Sequence, residues 1–206
     1  MKVLPIKYEE CENWLLKIHY AKRIPCIEYS FGLYNNKSLV GVITYGSPPS
    51  PSLCVGICGD KYKNIVIELN RLVLKNNEKN LASFFISQTF KLLPKPLIIV
   101  SYADTSMNHN GYVYQATNFI YTGLSAKRNE WRIKNSNLHS KTISQLYTLN
   151  ERKNNKDKFI HTERSQKHRY IYFLGSKVQK KQMLKALNYN IEPYPKNENK
   201  NYKIVN

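Results

Sequence analysis

Apolar and polar positions along this chain follow two periods, and the switches between them predict the elements. Residues 7 to 20 place Tyr8, Cys11, Leu15 and Ile18 at helical spacing with glutamates in the first turn, where the helix dipole favours them, which predicts an amphipathic helix. His19 and Tyr20 fall at its end, where a histidine is ordinarily a C-terminal cap. Two β-rich runs, Ser30 to Tyr34 and Leu39 to Tyr45, flank the turn-forming cluster Asn35-Asn36-Lys37-Ser38 and predict a hairpin. The proline-rich segment from Gly46 cannot continue a central strand, because proline has no amide hydrogen, so a surface loop is expected to about Lys63. Asn64 to Lys75 reads as a long strand whose two-residue period puts Glu68 and Asn70 on one face and Arg71 on the other. Charges in such a run need partners or a ligand: an ion pair with a distant basic residue suits Glu68, and an anion suits Arg71. Residues 80 to 93 carry Leu81, Phe85, Gln88 and Leu92 on one helical face behind Asn80 as N-cap. Leu97 to Val100 begins a strand, and a short helix and a strand at Phe119 to Thr122 follow, so residues 1 to 124 form an α+β core.

Past Gly123 the pattern predicts strands at Arg128 to Ile133 and Tyr170 to Leu174, helices at Ser140 to Leu149 and Lys177 to Leu187, and a charged loop at Arg152 to Lys158. The tail from Pro195 is polar and is expected to be disordered. Charge separates the two parts. Residues 1 to 124 hold 13 Lys and Arg against 8 Asp and Glu, whereas residues 125 to 206 hold 19 against 6. Most of the net charge of +18 therefore lies in a basic C-terminal part, 125 to 195, packed on the same domain and expected to contact a polyanion, nucleic acid first. Part of the lysine count also follows from an AT-rich coding sequence. Within that part, Arg128, Arg132 and the run Lys167-His168-Arg169-Tyr170 interleave cations and rings, which suits phosphate contact and base stacking together and is also ordinary strand packing. No secretory or membrane-spanning run is present, so a cytoplasmic protein is expected. Cys11, Cys26, Cys54 and Cys58 form no C-x-x-C pair and read as reduced structural thiols.

The densest chemistry lies between Ile98 and Gly123. An apolar strand delivers Tyr102, Ala103 and Asp104 to a turn, and His109, Gly111, Tyr112, Tyr114, Gln115 and Asn118 follow before the next strand. Functional groups collect beyond the carboxyl ends of sheet strands, which makes this a candidate active site. A capping carboxylate with packed tyrosines is the structural alternative. As an active site, Asp104 would take a proton and His109 or Tyr114 would orient or relay it.

Four stretches then resemble one family: H-Y-A-K-R at 19 to 23, G-V-I-T-Y-G-S at 41 to 47, E-L-N-R-L at 68 to 72, and S-Y-A-D followed by N-H-N-G-Y-V-Y-Q-A-T-N-F at 108 to 119. They are similar to the Mom-like phage DNA-adenine modification proteins over roughly residues 14 to 195. The resemblance implies an N-acetyltransferase-like α+β fold with a mixed, mostly antiparallel central sheet. It implies an enzyme that converts adenine in double-stranded DNA to its N6-carbamoylmethyl derivative and so shields phage DNA from host restriction. The matching functional positions would be His19, Tyr20, Arg71, Ser83, Asp104 and Tyr114. His19, Tyr20, Asp104 and Tyr114 would hold iron if a metal is used, imidazole, phenolate and carboxylate suiting iron better than zinc. Acetyl-CoA or another small molecule would be the donor, although Lys75 to Asn80 lacks the glycine-rich turn that holds a coenzyme A pyrophosphate. A homodimer is left open. The alternatives are an acetyltransferase acting on a small amine or a protein, and a non-catalytic DNA-binding protein.

Overall fold

The computed structural model describes residues 1–76, 78–136, 138 and 140–196. The expected disordered tail lies, beyond residue 196, outside the described residues. The chain runs β1 (Lys2–Pro5), α1 (Tyr8–Asn13), β2 (Tyr29–Asn35), β3 (Ser38–Gly46), α2 (Pro51–Cys58), β4 (Val66–Leu74), α3 (Leu81–Leu92) and β5 (Leu97–Asp104). It continues with α4 (Tyr112–Ala116), β6 (Ile120–Leu124), β7 (Arg128–Ile133), α5 (Ser140–Leu146), α6 (Leu149–Asn154), β8 (Phe159–Arg164), β9 (Lys167–Leu174) and α7 (Lys177–Lys185). Seven strands form one sheet in the order β1-β2-β3-β4-β5-β9-β6, and β7 and β8 form a separate two-stranded ribbon. Every neighbouring pair of the large sheet is antiparallel except β4 and β5. That order is the N-acetyltransferase-like arrangement expected from the sequence.

The one parallel ladder positions the site. It pairs Val66, Ile67 and Glu68 with Ile98, Ile99 and Val100 and ends there, so a notch opens between the outgoing ends of β4 and β5. Ser101 closes its floor by donating from Oγ to the Leu69 carbonyl at 2.9 Å. At the same level β4 carries a bulge. Thr44 pairs with Arg71 and Tyr45 with Leu69, which leaves Asn70 without a partner residue. Asn70 is held by Thr44 Oγ1, which donates to its Oδ1 at 2.6 Å, and by its own Nδ2, which donates to the Cys26 carbonyl at 2.8 Å. The extra residue resets the alternation. Glu68 shares a face with Val66, and Arg71 with Val73, on the side away from α3, so the expected placement of Glu68 and Arg71 on opposite faces is overturned.

The larger core lies on the α3 side, where Phe85, Ile86 and Phe90 pack on Ile43, Tyr45, Ile67, Leu69 and Ile99. On the other side Cys11 and Leu15 cover Val42 and Val73, while Ile57 and Met183 cover Val66, Ile98 and Ile171.

Strands β1 and β8 are absent from the sequence reading, and four further elements depart from it. The expected loop after Gly46 contains α2, because Pro51 stands in the first turn, where no amide hydrogen is needed. The first helix gives way at Trp14 to a π-helical turn and ends at Ile18. The expected charged loop at 152 to 158 begins in α6, whose Thr148 and Glu151 form a reciprocal capping box. Finally, Lys167 to Arg169 lie within β9, between β5 and β6, so residues beyond 124 supply the strand that joins the β6 edge to the rest of the sheet. No helix among the described residues is long and apolar enough to cross a membrane.

Candidate active site

Asp104 is the last residue of β5, and the turn after it closes on its side chain. Oδ1 accepts from the Ser106 amide at 3.0 Å, Ser106 Oγ at 2.8 Å and Ser165 Oγ at 2.8 Å. Oδ2 faces Lys167 Nζ at 3.3 Å. Burial pushes this carboxyl up, but the serine hydrogen bonds and Lys167 outweigh it and hold the group below the ordinary carboxylate value. Asp104 thus caps a turn, as the structural alternative expected, and is also a fixed anion at the edge of the notch.

His19 enters from α1's side. Its backbone leaves the helix in an extended conformation, and its Nδ1 accepts from the Ala21 amide at 3.0 Å, which assigns the ring proton to Nε2 in the neutral form. Burial, then Arg71 and His109, push its pKa down to about 4. The ring of Tyr20 stacks on it at 4.5 Å between centroids and meets His109 edge-on at 6.3 Å. Tyr20 forms the rim, with 54% of its surface exposed.

Arg71 and Glu68 line the β4 side. Arg71 donates from Nη1 to the Asn70 carbonyl at 2.6 Å and from Nη2 to the Arg23 carbonyl at 3.3 Å, which fixes the guanidinium. Its Nε is buried without a hydrogen-bond partner among the described residues. Glu68 makes no side-chain hydrogen bond among the described residues. Burial raises its pKa, with Arg71 and Lys167 opposing the rise.

Tyr114 arrives on α4. Gly111 starts that helix at φ +72°, and a Cβ there would collide with the Tyr170 ring, so the close approach requires glycine. The Tyr114 ring packs on Phe119 at 5.3 Å and Tyr170 at 5.2 Å. Burial pushes its hydroxyl up to about 12, with a hydrogen bond to Ser101 opposing and Tyr20 and Glu68 adding to the rise. It is therefore a neutral hydroxyl at physiological pH.

The notch brings together His19, Tyr20, Arg71, Asp104, His109 and Tyr114, and it adds Glu68 and Lys167, which the sequence reading assigned elsewhere. Ser83 is not among them. It donates to the Asn80 carbonyl at 3.0 Å and, with Ser87, Thr117 and Asn118, lines a cavity of about 380 Å³ beside α3. The basic run of β9 is largely spent on the fold. His168 Nδ1 meets the Tyr121 hydroxyl at 2.8 Å, and Arg169 donates to Thr122 Oγ1 at 2.9 Å and its carbonyl at 2.8 Å. Arg169 also lies 3.4 Å from the centre of the Tyr189 ring. Tyr170 is fully buried, and its hydroxyl donates to the Asn110 carbonyl, so as packed it offers no face to a base. Arg128 and Arg132 remain at the surface on β7.

The donor set does not fit a metal shell as arranged. One Asp104 oxygen is saturated by three donors and the other faces Lys167, His19 Nδ1 is occupied, and the Arg71 guanidinium shares the space. Among the described residues no group of three His, Cys, Asp or Glu could hold a metal ion. The iron shell implied for His19, Tyr20, Asp104 and Tyr114 is unsupported on these grounds.

The depressed His19 pKa has a consequence for stability. Unfolded, the ring takes a proton below 6.5, whereas in the fold it resists until about 4, so stability is full above 6.5 and falls as pH drops between those values. In urea titrations across that window, His19→Gln is expected to flatten the fall. An unchanged pH profile would contradict the assignment.

The strand order and the notch between β4 and β5 define an N-acetyltransferase-like fold. Solved structures of similar shape include an N-acetyltransferase from Staphylococcus aureus Mu50, 15% identical with a TM-score of 0.46, covering 84% of this chain and 99% of that one. Another is yncA, a putative acetyltransferase from Salmonella typhimurium with its cofactor acetyl-CoA, 9% identical with a TM-score of 0.47, covering 85% of this chain and 94% of that one. Within that class, the model of the Mom protein family matches residues 1–196, and the chain belongs to this family. A relative, the methylcarbamoylase mom of Escherichia phage Mu, is 25% identical over 93% of this chain and 84% of its own length.

Proposed function

We propose that this protein is a DNA-modifying enzyme that transfers a carbamoylmethyl group to the exocyclic amine of adenine in duplex DNA, shielding phage DNA from host restriction. The observation that carries the reading is the convergence of Asp104, Tyr114, His19, Tyr20 and Arg71 on one notch, in a chain of the Mom family with a basic C-terminal half. The amine lone pair is delocalised into the purine, and in a duplex the group is paired and stacked. The base must be extruded, at about a few kcal/mol, and a proton must leave as the new bond forms. The N6–CH₂ bond forms while the bond from that carbon to the donor's leaving group breaks with its electron pair, and the N6 proton goes to a protein base.

Two carboxylates flank the notch, and their surroundings divide the roles. Asp104, held ionised by four contacts, is a weak base suited to fixing Lys167 and the following turn. Glu68, raised by burial and free of hydrogen bonds among the described residues, is the better proton acceptor. The Tyr114 hydroxyl and the Nε2–H of neutral His19 are donors for the purine nitrogens, and Arg71 stabilises negative charge on the departing group.

Plasmid DNA from cells expressing the protein is expected to resist restriction enzymes whose sites contain adenine, and plasmid from cells expressing Tyr114→Phe is expected to be cut. Full cleavage with the unmutated protein present would overturn the proposal.

A further inference from the structure

The ribbon of β7 and β8 has two unlike faces. Trp131 and His161 stack at 4.6 Å on one face, with Arg152 5.9 Å from the centre of the Trp131 ring, and Phe159 meets Tyr147 at 5.0 Å. The segment carrying α5 and α6 covers the end of that face around Phe159 and Trp131, while Asn129, His161 and Glu163 stay exposed. The alternation of a two-residue period puts Arg128, Glu130 and Arg132 on the opposite face, with Arg164, Thr162 and Ile160 across from them in register.

Arg128 lies directly opposite Arg164, an arrangement that costs stability in an isolated ribbon because like charges sit across from each other. Among the ribbon's residues, Glu130 is the one carboxylate on this face. Glu130, 8% exposed, takes Arg132 Nη2 at 2.6 Å and stands 3.8 Å from Arg164 Nε, while the side chains of those arginines remain 59% and 41% exposed. Arg128 is exposed and has no hydrogen bond or ion pair to a carboxylate among the described residues.

The ribbon is tied at its base to Asp104 and the turn after it on the β8 side, and to Lys167, the β9 residue paired with Asp104, on the β7 side. Ser165, next to Arg164, donates to Asp104, and the Gln166 carbonyl accepts from Thr105 Oγ1 at 2.7 Å. Ser125, three residues before Arg128, accepts at Oγ from the Lys167 amide at 2.9 Å. The opposed arginines therefore stand at the base of the ribbon, beside the mouth of the notch. The field of Arg128 also reaches Tyr102, two residues before Asp104 on β5.

We propose that Arg128 and Arg164 form a phosphate clamp for duplex DNA, gripping the backbone beside the nucleotide whose base enters the notch, with Arg132 extending the contact along the strand. Arg128, exposed and without a carboxylate, stands opposite a half-exposed Arg164 that shares Glu130 with Arg132, and this excess of positive charge suits a bridging phosphodiester, which arginine can take with two parallel N–H donors. The clamp deepens the DNA-modification reading and rests on it. It also moves the DNA contact from the β9 run to the ribbon and adds Arg164, which charge counting did not single out.

The test is fluorescence anisotropy of the full-length protein with a labelled random-sequence duplex, titrated across salt concentration. Each neutralised phosphate contributes about one unit to the slope of log affinity against log salt. Arg128→Ala and Arg164→Ala are each expected to weaken binding on every sequence alike, and the double variant, which frees the shared phosphate, is expected to reduce the slope by about one. Arg128→Glu keeps the Glu130 contacts intact and is expected to weaken binding beyond Arg128→Ala, which guards against misfolding at Arg164. Lys156→Ala, at the far end of the arm, is expected to leave the slope nearest to that of the parent. If the parent binds and modifies DNA while Arg128→Glu and the double variant keep its slope, the clamp is wrong and the modification reading survives. If the parent shows no affinity for DNA, both fall.

Discussion

Asp104→Asn is expected to lower adenine modification by about a hundred- to a thousandfold. The replacement is isosteric, but its amide supplies two donors where Asp104 accepts from Ser106 and Ser165 and faces Lys167. Lys167 loses its partner, and the turn that carries His109 loses its anchor. A stability loss of about 1–3 kcal/mol should accompany the lost activity. Its pH dependence has a defined sign. The folded carboxyl titrates below its ordinary value of 3.8, so Asp104 contributes stability above that value, and the contribution is lost as pH falls through the lower folded pKa. Parent and variant should therefore converge in strongly acid solution and differ at neutral pH. Equal stability at neutral pH together with full activity would remove Asp104 from the site.

Glu68→Gln is expected to lower modification by about a hundred- to ten-thousandfold, as loss of a general base does. Here the stability effect has the opposite sign. Burial raises the folded pKa above the ordinary 4.5, so the neutral form is the one the fold prefers, and the contribution to stability is lost as pH rises through the raised value. The substituted amide carries no charge into that site, so the variant should equal or exceed the parent in stability at neutral pH. Unfolding cannot then explain the lost activity. The parent's rate should also fall in acid with a midpoint above 4.5, the pH at which Glu68 gains its proton. A variant with parental rate and the same acid limb would return the proton-accepting role to Asp104.

The strands and helices with strong periodicity were legible in the sequence because local burial dictates them. The hairpin of β2 and β3, the length of β4, and α3 all follow from where apolar residues recur. Asp104 and Tyr114 were legible as candidate site residues because polar groups were crowded between two apolar strands, and the structure brings both to the notch. The Asn70 bulge was not, since no residue in E-L-N-R-L marks it, and one extra residue decides whether Glu68 and Arg71 share a face. The insertion of β9 between β5 and β6 is a nonlocal pairing that periodicity does not encode, and it explains why Arg169 and Tyr170 face Thr122 and the core rather than a ligand. Two local signals carry a second meaning that the strand and loop expectations did not use. Pro51 breaks a strand but also opens a helix, and Thr148 with Glu151 spells a capping box at the edge of a charged segment. Ser165 leaves no trace in the sequence, because its bond to Asp104 depends on a ribbon that returns from 61 residues away in the chain.

Mass spectrometry of nucleosides from the DNA of cells expressing the parent protein, alongside Asp104→Asn and Glu68→Gln, tests the account most directly. A deoxyadenosine adduct with the mass of the N6-carbamoylmethyl derivative is expected with the parent and is expected to be nearly absent with both variants. Unmodified deoxyadenosine alone in cells with confirmed expression of the folded parent would contradict it.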